Sequence, residues 1–199
     1  MLKDAASLQV VPMAHYDRSA ALDAELYLKR PLLTNIDVGG GLSFLEIVSL
    51  IQPLDVGVGT DMALQCILLP EEMRFPKQKW FELRYVLKEC GVEASLYRCF
   101  NPAKHQRYQG LRLMVKNIQK FSPFTTMLAL VEFFRAHGIS LAYSPDFDDT
   151  LGNTKVREFL QGKISRDALE QEVNKGLKYF FTNAQRSFLY KPYPKIMFL

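Results

Sequence analysis

The chain reads as an α/β to α+β domain, a mixed β-sheet flanked by helices and closed by a long C-terminal helix. Three observations lead there. Strand-like alternation recurs at 92–100 and 108–117, single helical segments separate the strand segments, and the last third is helical throughout. The composition supports such a core: of 199 residues, 48% are apolar and 23% are charged, which is ordinary for a globular chain. A net charge of +4 is mild and makes no case for nucleic acid by itself. No apolar run approaches the roughly 18 residues of a membrane span. The N-terminal stretch lacks the apolar core of a signal peptide, so a cytoplasmic chain is the expectation.

Taken in order, "LQVVP" at 8–12 reads as a short buried strand stopped by Pro12. The stretch "DRSAALDAELYLKR" reads as a short helix, and "DVGGG" at 37–41 as a flexible turn. Ser43 and Glu46 then have capping-box spacing ahead of the apolar "FLEIVSLI", which Pro53 ends. Leu54, Val56 and Val58 alternate as a strand does. Pro76 suits the first position of a helix whose core face is Trp80, Leu83, Val86 and Leu87, with Gly91 as its C′ residue. Two strands follow; in the second, Leu111, Leu113 and Val115 share a face opposite Arg112, Met114 and Lys116. Ser122, Pro123 and Gly138 bracket a helix with a stripe of Phe124, Met127, Leu128, Val131 and Phe134. "ISLAY" is a strand, Asn153 or Thr154 starts a helix stopped by Gly162, and Ser165 caps a long helix reaching Tyr190, ended by Pro192 and Pro194.

Candidate chemistry is sparse. Cys66, Cys90 and Cys99 form an odd set with no CxxC spacing and read as buried free thiols. The three histidines are scattered, so neither a metal nor a cofactor is expected. Gly57-Val58-Gly59 is followed by Thr60 and Asp61, which suits a polar turn, but the third glycine of a dinucleotide loop and the Gly-Lys-Ser/Thr ending of a phosphate loop are both missing. Asp146, Asp148 and Asp149 cluster in "SPDFDD", where they serve either as cap and turn residues or as glycosidase carboxyls. Between Glu93 and Glu132 the chain carries no acidic residue, and Arg98, Lys104, Arg107, Arg112, Lys116 and Lys120 lie in that gap with Tyr97, Phe100 and Tyr108 among them. Such a segment is either a solvated surface or an attractor for an anionic ligand, and strand alternation splits its side chains over two faces.

Several stretches together resemble the C-terminal part of the NamZ-like exo-β-N-acetylmuramidases, a peptidoglycan-hydrolase family. Phe147-Asp148-Asp149-Thr150-Leu151-Gly152, running on to Arg157, is similar to the family's Phe-Asp-x-Leu-x-Gly-x-x-x-x-Arg pattern, with Thr150 at the Leu place. "YQGLRLMVKNIQKFSPF" and the helix after it are similar to the family's glycine-bearing strand, its F-x-P turn and long helix. "FFTNAQRSFLYKP" resembles the family's ending, and "LQVVPMAHYDR" the segment that closes its N-terminal domain.

The resemblance implies a division into 1–30, the remnant of a preceding domain or an extension, and 31–199, a single domain. It implies ligand-binding roles for Gly59, Thr60, Asp61, Lys104 and Gly110. It also shows departures: Val58 stands for a family Glu, Ala63 for a Ser, Cys66 for an Arg, Gln65 and Ile67 for glycines, and Gln109 for the first glycine of the strand pair. With the sugar-holding groups of the loop mostly replaced, and a start near the last strand of the family's Rossmann-like N-terminal domain, the expected function is a stand-alone, non-catalytic domain. It would bind a peptidoglycan fragment or dock on a separate Rossmann-like subunit. Two alternatives stand beside it. One is a glycoside hydrolase acting on N-acetylmuramic acid glycosides, alone or as a split enzyme, with Asp61 and Asp148 as its carboxyls. The other is a basic module for anions or nucleic acid, nucleic acid being the weaker expectation.

Overall fold

The computed structural model describes residues 10–12, 14 and 36–188. These fall into two compact units, one holding 36–165 and the other 10–12, 14 and 166–188.

In the first unit, helix α1 (Ile36–Val48) leads to strand β1 (Ile51–Gln52). A long loop, residues 53–65, then reaches β2 (Cys66–Pro70). Helix α2 (Lys77–Glu89), β3 (Val92–Asn101), β4 (Gln106–Val115) and helix α3 (Pro123–Ala136) follow. Strand β5 (Ala142–Tyr143) and two short helices, α4 (Phe147–Leu151) and α5 (Lys155–Leu160), complete it. The main sheet has the order β2-β4-β3, antiparallel throughout, and β1 pairs antiparallel with β5 in a second small sheet. The expected class, sheet flanked by helices, is the observed one, with both sheets antiparallel.

Register assigns the faces of the main sheet. Leu111 pairs with Ile67 on one side and Leu96 on the other, and Leu113 pairs with Ala94. Ile67, Leu69, Ala94, Leu111 and Leu113 thus share one face and are buried, with α1 packed on β4, α2 on β3, and α3 against both helices. Trp80, Phe75 and Phe134 lock the helices together by edge-on and tilted ring contacts of 4.9 to 5.8 Å. The opposite face carries Cys66, Leu68 and Tyr108, and Met62 of the 53–65 loop packs on it with Tyr97 and Cys99.

The capped helices are where the sequence places them. Ser122 accepts from the Thr125 amide at 3.4 Å, Pro123 opens α3, and Gly138 follows it with φ +79°. Pro76 is the N-cap of α2, one residue earlier than expected, and Gly91 is its C′ residue with φ +78°.

Other expectations are corrected. Residues 37–41 are helical, not a turn. Their glycines serve close packing: a Cβ on Gly41 would lie 1.7 Å from the Leu64 carbonyl oxygen, and one on Gly40 would lie 2.8 Å from Val115. Because α1 starts so early, Ser43 sits inside it and donates to the Gly40 carbonyl at 2.6 Å, so there is no capping box at Ser43 and Glu46. Leu54, Val56 and Val58 form no strand; Asp55 makes an isolated bridge to Leu68, Leu54 and Val56 are both buried, and Val58 is exposed. "ISLAY" contributes two strand residues only, and α4 was not expected at all. Val10 and Val11 are 50% and 79% exposed and lie in no strand, which removes the buried strand from that part of 8–12. Leu8, Gln9 and the helix expected at 17–30 lie outside the described residues.

The second unit contains α6 (Arg166–Ala184) and a 3-10 turn, Gln185–Ser187. The helix starts directly after Ser165, as expected, carries an Arg166–Glu170 ion pair at 2.8 Å, and ends six residues short of Tyr190. Phe181 and Phe188 contact each other at 5.8 Å between ring centres. Pro192 and Pro194 lie outside the described residues.

Candidate functional site

The 53–65 loop is shaped by its two glycines. Gly57 has φ +75°, and a Cβ there would meet Cys66 Sγ at 2.5 Å; Gly59 has φ +91°. Only glycine adopts these angles without strain. Thr60 closes the turn, its hydroxyl donating to the Gly57 carbonyl at 2.7 Å and accepting from the Met62 amide at 3.2 Å. Asp61 stands exposed beside Tyr97, whose hydroxyl donates to Asp61 Oδ1 at 3.3 Å.

The dominant charge here is one that sequence reasoning missed. Asp55 is 6% exposed, in the apolar run between Leu54 and Val56. Its Oδ1 accepts from the Gly57 amide at 2.7 Å, and its Oδ2 from Lys104 Nζ at 2.5 Å. A buried carboxylate needs such partners, since an unpaired one costs several kcal/mol, on the order of its desolvation. Lys104 keeps 48% of its side chain exposed, so the ammonium faces both the buried carboxylate and solvent. Asn101 places that lysine. Buried to 1%, it donates to the Val58 carbonyl at 2.8 Å and accepts from the Ala103 and Lys104 amides at 3.0 and 3.2 Å. One side chain thereby ties the loop to the turn joining β3 and β4.

The titratable groups respond to this surrounding. Burial, then the nearby Asp55 carboxylate, pushes Tyr108 up to about 12. Burial, then Cys99 and Asp61, pushes Tyr97 up to about 12. Cys66 is raised too, by burial and then by Cys99, Asp55 and Asp61. Its thiolate is disfavoured, which is the opposite of what a nucleophile requires. Cys66, Cys90 and Cys99 are in no disulfide; Cys66 is buried and the other two are half-buried. Among the described residues, no three His, Cys, Asp or Glu side chains converge as a metal site requires, and no helix is long and apolar enough to cross a membrane.

Gly110 and Asp148 have structural surroundings of their own. A Cβ on Gly110 would lie 2.0 Å from the Ile67 carbonyl oxygen, so glycine lets β2 and β4 approach. Asp148 on α4 pairs with Arg157 on α5, while Phe147 is fully buried and Gly152 ends α4 with φ +72°. The Phe-Asp…Gly…Arg spacing is thus a folding device, a core anchor followed by a turn that returns the arginine to the aspartate. A cavity of about 540 Å³ adjoins this pair, lined by Arg135, Tyr143, Arg157 and residues 139–142 among others. A second, of about 520 Å³, lies between α2 and the turn after β4. Asp61 and Asp148 line neither.

The basic segment is divided. Lys104 is taken by Asp55, Arg112 is half-buried in β4, and Lys116 and Lys120 border the second cavity. The 53–65 and 101–106 segments, with Tyr97 of β3 beside them, therefore offer an open face with a carboxylate (Asp61), a phenol (Tyr97) and an ammonium (Lys104). These are hydrogen-bonding groups for a hydroxylated or acidic ligand.

Comparison with known proteins gives two findings. The family model described as "Exo-beta-N-acetylmuramidase NamZ, C-terminal" matches residues 42–190. A crystal structure of a DUF1343 family protein from Bacteroides fragilis NCTC 9343 has a similar fold, with a TM-score of 0.58 and 16% sequence identity. The similarity covers 76% of this chain and 42% of that one, so this chain spans less than half the length of the solved relative. No curated protein matches the sequence.

Proposed function

The chain belongs to the NamZ C-terminal family of exo-β-N-acetylmuramidases, and from that premise we propose that it supplies one wall of a binding cleft for N-acetylmuramic acid-bearing peptidoglycan fragments. The wall is the face built by 53–65 and 101–106, with Thr60, Asp61 and Lys104 toward the sugar. Gly59 and Gly110 shape the backbone beneath. A second domain, Rossmann-like in the family this chain resembles, furnishes the opposite wall, and the chain alone performs no hydrolysis.

The commitment of the carboxylates carries this reading. Glycosidases place two carboxyls about 5 to 9.5 Å apart across one bond. Here Asp55 is held by Lys104 and the Gly57 amide, and Asp148 is held by Arg157. Asp61 is exposed, and it lies on an open face outside both cavities. An open face of polar groups binds weakly by itself, since small-ligand sites are normally concave.

Titration with free N-acetylmuramic acid, followed by amide chemical shifts, tests the assignment. The expected result is weak, saturable shifts centred on Thr60, Asp61 and Lys104, abolished by Asp61→Ala with the fold intact. Saturable binding that leaves those amides unmoved would refute it.

A further inference from the structure

A different site lies at the far end of the β3–β4 hairpin from Lys104. Helix α2 presents Phe81, Arg84, Tyr85 and Lys88 at i, i+3, i+4 and i+7, a single stripe beside its buried Trp80, Leu83 and Leu87. Lys116 and Lys120 face them from the segment after β4, across the cavity of about 520 Å³, which is in the size range of small-molecule sites. The cavity floor is rigid. The Gly91 carbonyl accepts from the Lys116 and Asn117 amides, each at 3.0 Å, and a Cβ on Gly91 would lie 2.5 Å from the Asn117 oxygen. Asn117 Oδ1 then accepts from the Gln119 and Lys120 amides, each at 3.1 Å. The turn carrying both lysines is therefore ordered before a ligand arrives, which lowers the cost of binding.

The charges here are not consumed internally. Four cations line the cavity against two carboxylates, Glu89 and Glu93. Among the described residues, Lys88, Lys116 and Lys120 enter none of the ion pairs. Arg84 lies over the Phe81 ring at 5.6 Å. Glu89, Glu93 and the negative end of α2 offset part of this field, so a neutral or singly charged ligand gains little, whereas a multiply charged anion gains from several lysines at once. Tyr85 is 73% exposed and Phe81 37%, which leaves aromatic surface for a flat ring.

We propose that this groove binds a small polyanion bearing a planar ring, its phosphate or carboxylate groups on Lys88, Lys116 and Lys120 and its ring against Tyr85 and Phe81. A nucleic-acid strand fits less well. The basic residues of β3 and β4 do not continue the groove as a track, because Lys104 is held by Asp55 and Arg112 is half-buried.

The test is calorimetric titration of the full chain with inorganic pyrophosphate and with ATP as probes, at low and high salt. Both are expected to saturate, ATP more tightly, with affinity falling as salt rises. Lys116→Gln with Lys120→Gln should weaken both probes by about tenfold or more. Tyr85→Ala should weaken ATP alone, and Arg98→Gln with Arg107→Gln should change neither. Unaltered far-ultraviolet dichroism and melting temperature would show that the variants fold. Absence of saturable binding, equal affinity for the two probes, or insensitivity to the lysine pair would overturn the proposal. So would tighter binding of a single-stranded oligonucleotide that depends on Arg98 and Arg107, which would mark a nucleic-acid surface instead.

Discussion

The 53–65 loop and the groove beside α2 lie at opposite ends of one hairpin and use their charges differently. Around the loop the buried charge is engaged from within, Asp55 by Lys104, while Asp61 stays exposed with the Tyr97 hydroxyl on its Oδ1 and Lys104 keeps an open side to solvent. In the groove the backbone is pinned equally firmly, by Gly91 and Asn117, but the lysines it positions enter no ion pair among the described residues. Internal pairing spends a charge on holding a shape; an unpaired charge on a rigid backbone is available to a ligand. Breaking the Asp55–Lys104 pair should therefore cost stability at the loop, whereas removing Lys116 or Lys120 should cost only binding in the groove.

The strongest way to break the loop is through its backbone. Gly41→Ala would force a Cβ against the Leu64 carbonyl at 1.7 Å, where no flexible atom can yield. A loss of about 3 kcal/mol is expected in urea unfolding, despite alanine's better helix propensity. Next comes Lys104→Met, which leaves Asp55 buried without its cation, at an expected cost of about 2 to 3 kcal/mol. Asp55→Asn should cost less, because Lys104 can turn to solvent. The double variant should recover part of the loss, a coupling of about 1 kcal/mol or more.

A smaller effect appears at high pH. Tyr97 and Tyr108 are both pushed up to about 12, whereas a tyrosine in the unfolded chain ionises near 10. The folded state holds its phenolic protons while the unfolded state loses them. Their contribution is thus complete below pH 10 and is lost as pH rises through about 12. Absorbance at the tyrosinate band should show a late-ionising component that Tyr108→Phe reduces. Least of all, Lys116→Gln or Lys120→Gln should change stability by no more than about 0.5 kcal/mol. A larger loss there would erase the contrast between the two regions.

Much of this fold was legible where local signals agree. Ser122, Pro123 and Gly138 bracket α3, Gly91 ends α2, and alternation marks β3 and β4, because caps and pleats depend on neighbours in sequence. Legibility failed where a distant contact decides. The glycines at 39–41 read as a turn, yet two of them admit Leu64 and Val115 against a helix. Asp55 was invisible because its apolar neighbours suggest a strand and its partner is 49 residues away. Lys104 stood out only as one of several cations, its binding role coming through the family resemblance, and Asn101, which positions it, carries no motif at all. The Asp148 to Arg157 pattern was visible, but its meaning as an ion pair across a turn required the fold.

The central claim is that the loop face recognises N-acetylmuramic acid without cleaving it. Incubating the chain with a β-glycoside of N-acetylmuramic acid, and following amide and sugar resonances in one sample, tests both halves at once. The account predicts shifts at Thr60, Asp61 and Lys104 and an unchanged glycoside. Release of free N-acetylmuramic acid, or shifts confined to other residues, would contradict it.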